Sequence, residues 1–276
     1  MDMNHCEYTQ DELGKKYPKM MHHDMNQSFD QLRTSIPSMQ RMTNQQIMGM
    51  MKMMGPNYYW PVSNQGSVNN GVLIMAHGYG PGGDQDLFDS AHSVGMIYQT
   101  TLSMGMSMMT SSHVICSVNE MIHNDVEKIF VVPVSSTAHN TLVRQWNYIF
   151  GLEENYAYAE VEQINNEKIV MLDPISDDLY AKKIILEYTN EISSDPSNEV
   201  LIIIAHGPID EVDNNIELDL MNNIGDYIKQ HTSIKTVMAF TLQDDAPKEI
   251  RDRNLDNIKT FMRTSKEEGK RVLMVS

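Results

Sequence analysis

One short pattern occurs twice in this chain of 276 residues and limits the folds open to it. Residues 71–80 read GVLIMAHGYG and residues 199–208 read EVLIIIAHGP, so an apolar run ends in Ala-His-Gly both times. A short continuous apolar run bounded by glycine is typical of a strand buried on both faces of a parallel sheet. The repeat therefore predicts two related sheet units, with His77 and His206 following corresponding strands.

Strand-like and helix-like segments alternate from residue 71 to the end of the chain. Short apolar runs predict strands at 72–76, 104–109, 129–134, 200–205, 236–242 and 272–275. Apolar residues spaced three and four apart predict helices at 84–99, 117–126, 140–150, 178–193, 214–230 and 250–264. Such alternation is typical of parallel sheets covered by helices. We predict an α/β fold with two tandem doubly wound parallel-sheet domains.

The first 70 residues differ in composition from the rest. Methionine, of which the chain has 24, is concentrated there, together with His5, His22 and His23. We predict a Met/His-rich N-terminal extension over 1–70, with one helix around 38–54. Tyr58-Tyr59-Trp60 is expected to anchor it to the core. The two α/β domains are then predicted at 71–152 and 153–276, the second being short at its C-terminus.

Composition excludes several classes of partner. The net charge is −16, with 37 acidic and 21 basic residues, which argues against a nucleic-acid partner because phosphate binding needs clustered Lys and Arg. The two cysteines, Cys6 and Cys116, predict neither a metal cluster nor a disulfide framework, so a reducing, cytoplasmic location is expected. No apolar stretch reaches the roughly 20 residues of a membrane span, and the first residues lack a signal-peptide pattern. The alternative to a cytoplasmic location is an exported form whose leader has been trimmed, which would have the same sequence.

Histidines follow two strands that should be neighbours. His77 follows the first predicted strand, and Ser135, Ser136, Thr137 and His139 follow the third. Ligands of open α/β sheets bind at the C-terminal ends of the strands, so His77 and His139 are expected to face one crevice. Two imidazoles with open coordination positions suit cobalt, nickel or iron. The alternative is that each imidazole only hydrogen-bonds a neighbouring backbone group.

Four stretches resemble a known family. VLIMAHGYG, KIFVVPVSSTAH, VLIIIAHGP and LQDDAPKEIRD are similar to the class II chelatases of tetrapyrrole biosynthesis, the sirohydrochlorin chelatases, over about 71–276. The resemblance implies a lyase that inserts a divalent metal (cobalt, nickel or iron) into sirohydrochlorin or a related tetrapyrrole, as in cobalamin and sirohaem synthesis. No nucleotide is expected, because HGYGPGGD lacks the Gly-x-Gly-x-x-Gly signature.

The resemblance also implies roles for individual residues. His77 and His139 would be catalytic and would hold the incoming metal. The residues expected to contact the macrocycle are Gly78, Tyr79, Gly80, Ser135, Ser136, Thr137 and His206. Laid on the first half, Val275-Ser276 matches Val134-Ser135, so the second half ends before a counterpart of His139; either it is built so or the sequence is truncated.

Two other functions remain open at this point. A non-catalytic metal-binding or metal-delivery protein could use the same histidines, and a homodimer is left open for either function. An α/β-hydrolase would need Gly-x-Ser-x-Gly at its nucleophile. The nearest string, GMSMM at 105–109, lacks the final glycine.

Overall fold

A computed structural model describes residues 6–19 and 25–276 of the chain, which fall into two compact units. Unit 1 comprises the described residues of Met1–Ser35 together with Met39–Ser135 and Leu142–Pro174. Unit 2 comprises Ile36–Ser38, Ser136–Thr141 and Ile175–Ser276. No helix in this described part of the chain is both long and apolar enough to cross a membrane.

Unit 1 is built around a seven-stranded sheet whose order is β1-β2-β3-β5-β4-β6-β7. Its strands are Tyr8–Gln10 (β1), Lys16–Pro18 (β2), Tyr58–Ser63 (β3), Asn70–Ala76 (β4), Gln99–Met104 (β5), Lys128–Pro133 (β6) and Ile169–Met171 (β7). The helices in this part of the chain are Met25–Ser35 (α1), Asn44–Met54 (α2), Gly80–Ser90 (α3), His92–Gly95 (α4), Ser112–His123 (α5) and Thr141–Ile149 (α6). Strands β5, β4, β6 and β7 run parallel, whereas β1, β2 and β3 pair antiparallel.

Strand β4 lies at the centre of the parallel part of this sheet. It pairs with β5 on one side and with β6 on the other, and residues 71–76 are all buried. An all-apolar strand suits that position because helices cover both faces of a parallel sheet. The first Ala-His-Gly therefore follows the most enclosed strand of unit 1.

The segment before residue 70 is part of this sheet. Strand β3 pairs antiparallel with β5, and Trp60 lies opposite Leu102 in that register. The Trp60 ring stacks on Phe88 with centroids 4.0 Å apart, and Lys15 Nζ lies 4.5 Å from the centroid of the same indole. The expected anchoring by Tyr58-Tyr59-Trp60 is confirmed, but β3 and β4 belong to one unit, so residue 70 does not separate two bodies.

The two cysteines are joined. Cys6 and Cys116 form a disulfide with their Cα atoms 5.7 Å apart, and the two residues are 110 positions apart in the sequence. The expectation of no disulfide was wrong, because only the fold brings the segment before β1 to helix α5. The bond ties the start of the described chain to a buried helix of unit 1.

Unit 2 contains a three-stranded parallel sheet whose order is β10-β8-β9. Its strands are Glu199–Ala205 (β8), Thr236–Thr241 (β9) and Arg271–Val275 (β10), and its helices are Leu179–Ile192 (α7), Glu211–His231 (α8) and Lys248–Glu267 (α9). Residues of α8 pack on one face of the sheet, where Ile224 and Ile228 meet Leu201. On the opposite face, the ring centroid of Phe261 in α9 lies 5.8 Å from that of Phe240 in β9.

Most elements expected after residue 70 are confirmed, and an α/β fold with mostly parallel sheets is confirmed with them. Three of the predicted elements had wrong bounds. Helix α5 covers 112–123 rather than 117–126. The second strand covers 99–104 rather than 104–109, because Gly105 takes a φ of 133° and turns the chain. The helical stretch expected to reach residue 99 ends at Gly95. The antiparallel strands of unit 1 have no counterpart in the three-stranded sheet of unit 2, so the two units are not equal copies.

The disulfide makes a stability prediction. Replacing Cys6 and Cys116 together by serine should lower the free energy of unfolding by about 2–5 kcal/mol, because the bond closes a long loop in the unfolded chain. Urea unfolding of both proteins, with and without a reductant, measures the difference. A reductant should shift the midpoint of the unsubstituted protein only. Equal midpoints for the oxidised protein and the double variant would contradict the account.

Candidate functional site

The first Ala-His-Gly lies at the C-terminal edge of the unit 1 sheet. Strand β4 ends at Ala76, His77 is exposed, and helix α3 begins three residues later, at Gly80. The His77 imidazole lies 4.6 Å from the Tyr79 ring, centroid to centroid, in an edge-on arrangement. The His77 side chain thus contacts an aromatic ring at an exposed position of the sheet edge.

A buried carboxylate shapes this loop. Asp84, only 6% exposed, accepts the Tyr79 backbone N–H at Oδ1 (2.6 Å) and the Tyr58 hydroxyl at Oδ2 (2.7 Å). Burial and the bond to Asp84 raise the pKa of Tyr58, so its phenol stays a hydrogen-bond donor. Asp84 therefore links the His77 loop to strand β3, a connection that sequence reasoning missed because the two residues lie 26 positions apart.

Glycine follows each histidine for a conformational reason. Gly78 and Gly207 have φ values of 96° and 79°, in the left-handed region that favours glycine. At Gly207 space is also short, because a Cβ atom would lie 2.6 Å from Cβ of Thr241 and 3.0 Å from Oδ1 of Asn214. The turn after each central strand thus requires glycine and leaves the preceding histidine at the sheet edge.

In unit 2, His206 follows the central strand β8 and is oriented by its neighbours. Its Nδ1 atom lies 3.1 Å from the Gly207 carbonyl oxygen, which can only accept a hydrogen bond, so Nδ1 carries the proton in that contact. Nε2 is then the basic nitrogen, and it lies 3.8 Å from Oδ2 of Asp245. The Gln243 backbone N–H donates to the His206 carbonyl oxygen (2.7 Å), which joins the two loops. The expected backbone contact exists, and it leaves Nε2 able to take a proton or a metal ion.

Helix α8 brings two acidic side chains to the same region of unit 2. Asp213 and Glu217 are one helical turn apart, and both are buried. The Ser136 hydroxyl donates to Oε1 of Glu217 (3.5 Å), and Nδ1 of His139 lies 3.6 Å from Oδ1 of Asp213. The segment Ser136–Thr141 therefore meets one face of α8 within unit 2.

Burial changes the acidity of two of these carboxyl groups. Burial raises the pKa of Glu217, against the smaller opposing effects of the Ser136 hydrogen bond and of a charge on His206. Burial likewise raises the pKa of Asp245, which a charge on His206 opposes and the nearby Asp244 reinforces. Glu217 is only 5% exposed, so little water reaches its carboxyl group. Both groups accept a proton more readily than an exposed carboxylate.

The predicted site residues divide between the two units. Those in unit 1 are His77, Gly78, Tyr79, Gly80 and Ser135, whereas those in unit 2 are Ser136, Thr137, His139 and His206. The division follows from the chain path, because the segment after β6 joins unit 2 at Ser136. The structure groups His139 with His206, and the pairing of His77 with His139 stays a prediction. Thr137 is buried, and its hydroxyl oxygen accepts the His139 backbone N–H (3.2 Å).

The described residues contain no cluster of candidate metal ligands. Over residues 6–19 and 25–276, no group of three or more His, Cys, Asp or Glu side chains is arranged to hold a metal ion.

The sequence placed the acidic stretch DEVDNN at 210–215 after His206, but it did not identify Glu217 and Asp245 as acidic neighbours of the unit 2 histidines. Asp245 lies within LQDDAPKEIRD, so a signal for it was present in the sequence. Asp213 and Glu217 carry the four-residue spacing of one helix face, which predicts neighbours on α8 but not their burial beside Ser136 and His139.

In the comparison with known proteins, no protein-family model matches the chain, and no curated protein matches its sequence.

The Asp84 contacts predict a stability loss in unit 1. Tyr58→Phe removes the hydroxyl bonded to Asp84 and leaves a buried carboxylate oxygen without that donor, so the free energy of unfolding should fall by about 1–3 kcal/mol. The same ring-preserving change at the partly exposed Tyr156 should cost far less. Urea unfolding measures both variants. Equal losses in the two variants would show that the Tyr58 hydroxyl stabilises the fold no more than the hydroxyl of Tyr156 does, which would contradict the prediction.

The raised pKa of Glu217 predicts a pH-dependent stability change. As pH rises above 4.5, the ordinary value, the unfolded chain ionises this carboxyl before the folded protein does, so stability is lost until the folded pKa is passed. Glu217→Gln removes that loss. The variant should be more stable than the unsubstituted protein at about pH 7 and equally stable below about pH 4.

Unfolding curves at the two pH values measure the effect, with the exposed Glu12→Gln as the control. A stability change in Glu217→Gln that is the same at both pH values would contradict the assigned pKa direction.

Proposed function

We propose that this protein is a chelatase that inserts a divalent metal (cobalt, nickel or iron) into sirohydrochlorin or a related tetrapyrrole. The observation that carries the proposal is the placing of His206 and Ser136 beside Glu217, a buried carboxyl whose pKa is raised. The resemblance of the Ala-His-Gly stretches to the class II chelatases supports the same activity.

Metal insertion needs bases as well as ligands. A divalent ion that enters a metal-free macrocycle displaces two protons from ring nitrogens, and both must leave the site. Nε2 of His206 lies 3.8 Å from Oδ2 of Asp245, and Glu217 and Asp245 accept protons more readily than exposed carboxylates. A base whose pKa is shifted toward the working pH transfers protons most effectively. These three groups are proposed as the proton acceptors.

The histidines are proposed to hold the incoming metal, which is a substrate. Neutral imidazole binds cobalt, nickel and iron, and two imidazoles leave positions free for the four macrocycle nitrogens. His77 and His139 are the proposed ligands, and the exposed loop 77–80 offers backbone and the Tyr79 ring to a flat substrate. Ser135, Ser136 and Thr137 are proposed to support the macrocycle from the loop after β6, Thr137 acting through its bond to His139.

The cellular location proposed for the protein follows from the disulfide between its two cysteines. The sequence favours the cytoplasm, but disulfides form and persist in oxidising compartments. The Cys6–Cys116 bond therefore favours an oxidising environment over the cytoplasm. Trapping of free thiols in intact cells before lysis would distinguish the two.

A spectroscopic assay tests the function. Metal-free sirohydrochlorin is mixed with Co²⁺, Ni²⁺ or Fe²⁺, and the change in its absorption spectrum is followed with and without protein. The protein should raise the insertion rate for at least one metal. His77→Ala and His139→Ala should each abolish the increase, and Glu217→Gln should lower the rate by about 100-fold because a proton acceptor is lost.

Two controls separate the possible outcomes. His123→Ala, at an exposed position at the end of α5, should insert metal at the normal rate. A protein that binds metal but leaves the spectrum at the uncatalysed rate would be a metal carrier and would contradict the proposal. Normal rates in both His77→Ala and His139→Ala would remove those residues from the site.

A further inference from the structure

Helix α7 exposes a continuous apolar stripe. Its members are Tyr180, Ile184, Tyr188 and Ile192, which are 73%, 45%, 48% and 39% exposed. A spacing of four residues places them along one side of the helix over three turns. Single exposed apolar side chains are ordinary on a protein surface, but a contiguous row of them marks an interaction surface. We call these four residues the α7 stripe.

The stripe is not needed for the packing of unit 2. Ile185 and Leu186, on the other side of α7, pack against the core that contains Leu201 and Ile203, and Thr189 is fully buried. The helix is therefore already held in place by its inner face. The outer face carries large apolar side chains that are exposed to water and would be buried only by contact with another surface.

We propose that the α7 stripe is the interface of a homodimer, in which α7 of a second copy packs antiparallel to it. A twofold axis makes a helix pair with itself, so the surface must be self-complementary. In the antiparallel arrangement Tyr180 lies opposite Ile192 of the other copy, and Ile184 lies opposite Tyr188. Each aromatic ring then meets an aliphatic side chain, which allows the two rows to interlock.

The charges beside the stripe favour the same arrangement. Lys183, Glu187 and Glu191 follow one edge of the row at the same four-residue spacing. In the antiparallel pair, Lys183 of each copy lies near Glu191 of the other, which gives two ion pairs at the rim against one like-charge contact between the two copies of Glu187 at the twofold axis. These two acidic side chains and the net charge of −16 disfavour the surface of an anionic membrane as the occupant.

The size of the surface fits a weak dimer. The stripe exposes on the order of 400 Å² of side-chain surface per copy, below the roughly 800 Å² per partner of a standard interface. A shallow groove of about 430 Å³, lined by Lys183, Leu186, Glu187, Asn190 and Glu191, lies alongside and extends the contact. We therefore expect a dissociation constant on the order of 10 µM.

Sedimentation velocity over a wide range of protein concentrations tests the dimer. The unsubstituted chain should change from monomer to dimer within that range. The double variant Ile184→Lys with Tyr188→Lys should raise the dissociation constant by at least about 100-fold, because it places charge at the centre of the interface. Met96→Lys, at an apolar position 73% exposed in unit 1, should leave the dissociation constant unchanged.

A charge exchange tests the antiparallel register. Lys183→Glu and Glu191→Lys should each raise the dissociation constant several-fold, and the two changes together should restore it. Circular dichroism checks that every variant is folded. A chain that stays monomeric throughout, a dimer that survives the double lysine variant, or charge changes that do not compensate would each overturn the proposal. Monomers that bind vesicles of neutral phosphatidylcholine through the stripe would overturn it in favour of a lipid surface.

Discussion

The parallel pairing of one central strand in each unit is the constraint on which the other features depend. β4 pairs with β5 and β6, and β8 pairs with β9 and β10, so both central strands have neighbours on either side. Such a strand carries mostly apolar side chains because both of its faces are buried, and residues 71–76 and 200–205 follow this rule. A polar group is more easily accommodated after the strand ends. Histidine occupies that position twice, and glycine then turns the chain back into a helix.

Enclosure by the sheet also explains the chemistry of unit 2. Helix α8 must lie across β8 and β9 to cover their apolar faces, and its first turns pass over the strand ends. Glu217 is buried there, where it can be satisfied by the Ser136 hydroxyl but not by bulk water. Desolvation disfavours its charged form and so raises its pKa next to His206. The stability cost of burying the acid and the proton-accepting role proposed for it would thus have one physical origin.

The sequence predicted what depends on periodicity and missed what depends on contacts between distant segments. The apolar runs at β4, β6 and β8 and the helical spacing of α7, α8 and α9 were sufficient to predict those elements. Strands β1, β2 and β7 are three residues long, too short to show a period, and β3 was obscured by Pro61. The disulfide, the Tyr58–Asp84 bond and the membership of Ser136–Thr141 in unit 2 all join residues that no local pattern connects.

For the candidate site, the sequence identified the histidines but not the carboxyl groups whose side chains lie beside His139 and His206. The central claim is that burial holds Glu217 in its protonated form to a higher pH than usual, beside His206. Carbon-13 NMR titration of the glutamate side-chain carboxyl carbons tests it directly, with Glu217→Gln used to assign the signal. The account predicts that Glu217 titrates above 4.5, and higher still in His206→Ala because the histidine charge opposes the rise. A Glu217 pKa at or below 4.5 would contradict it.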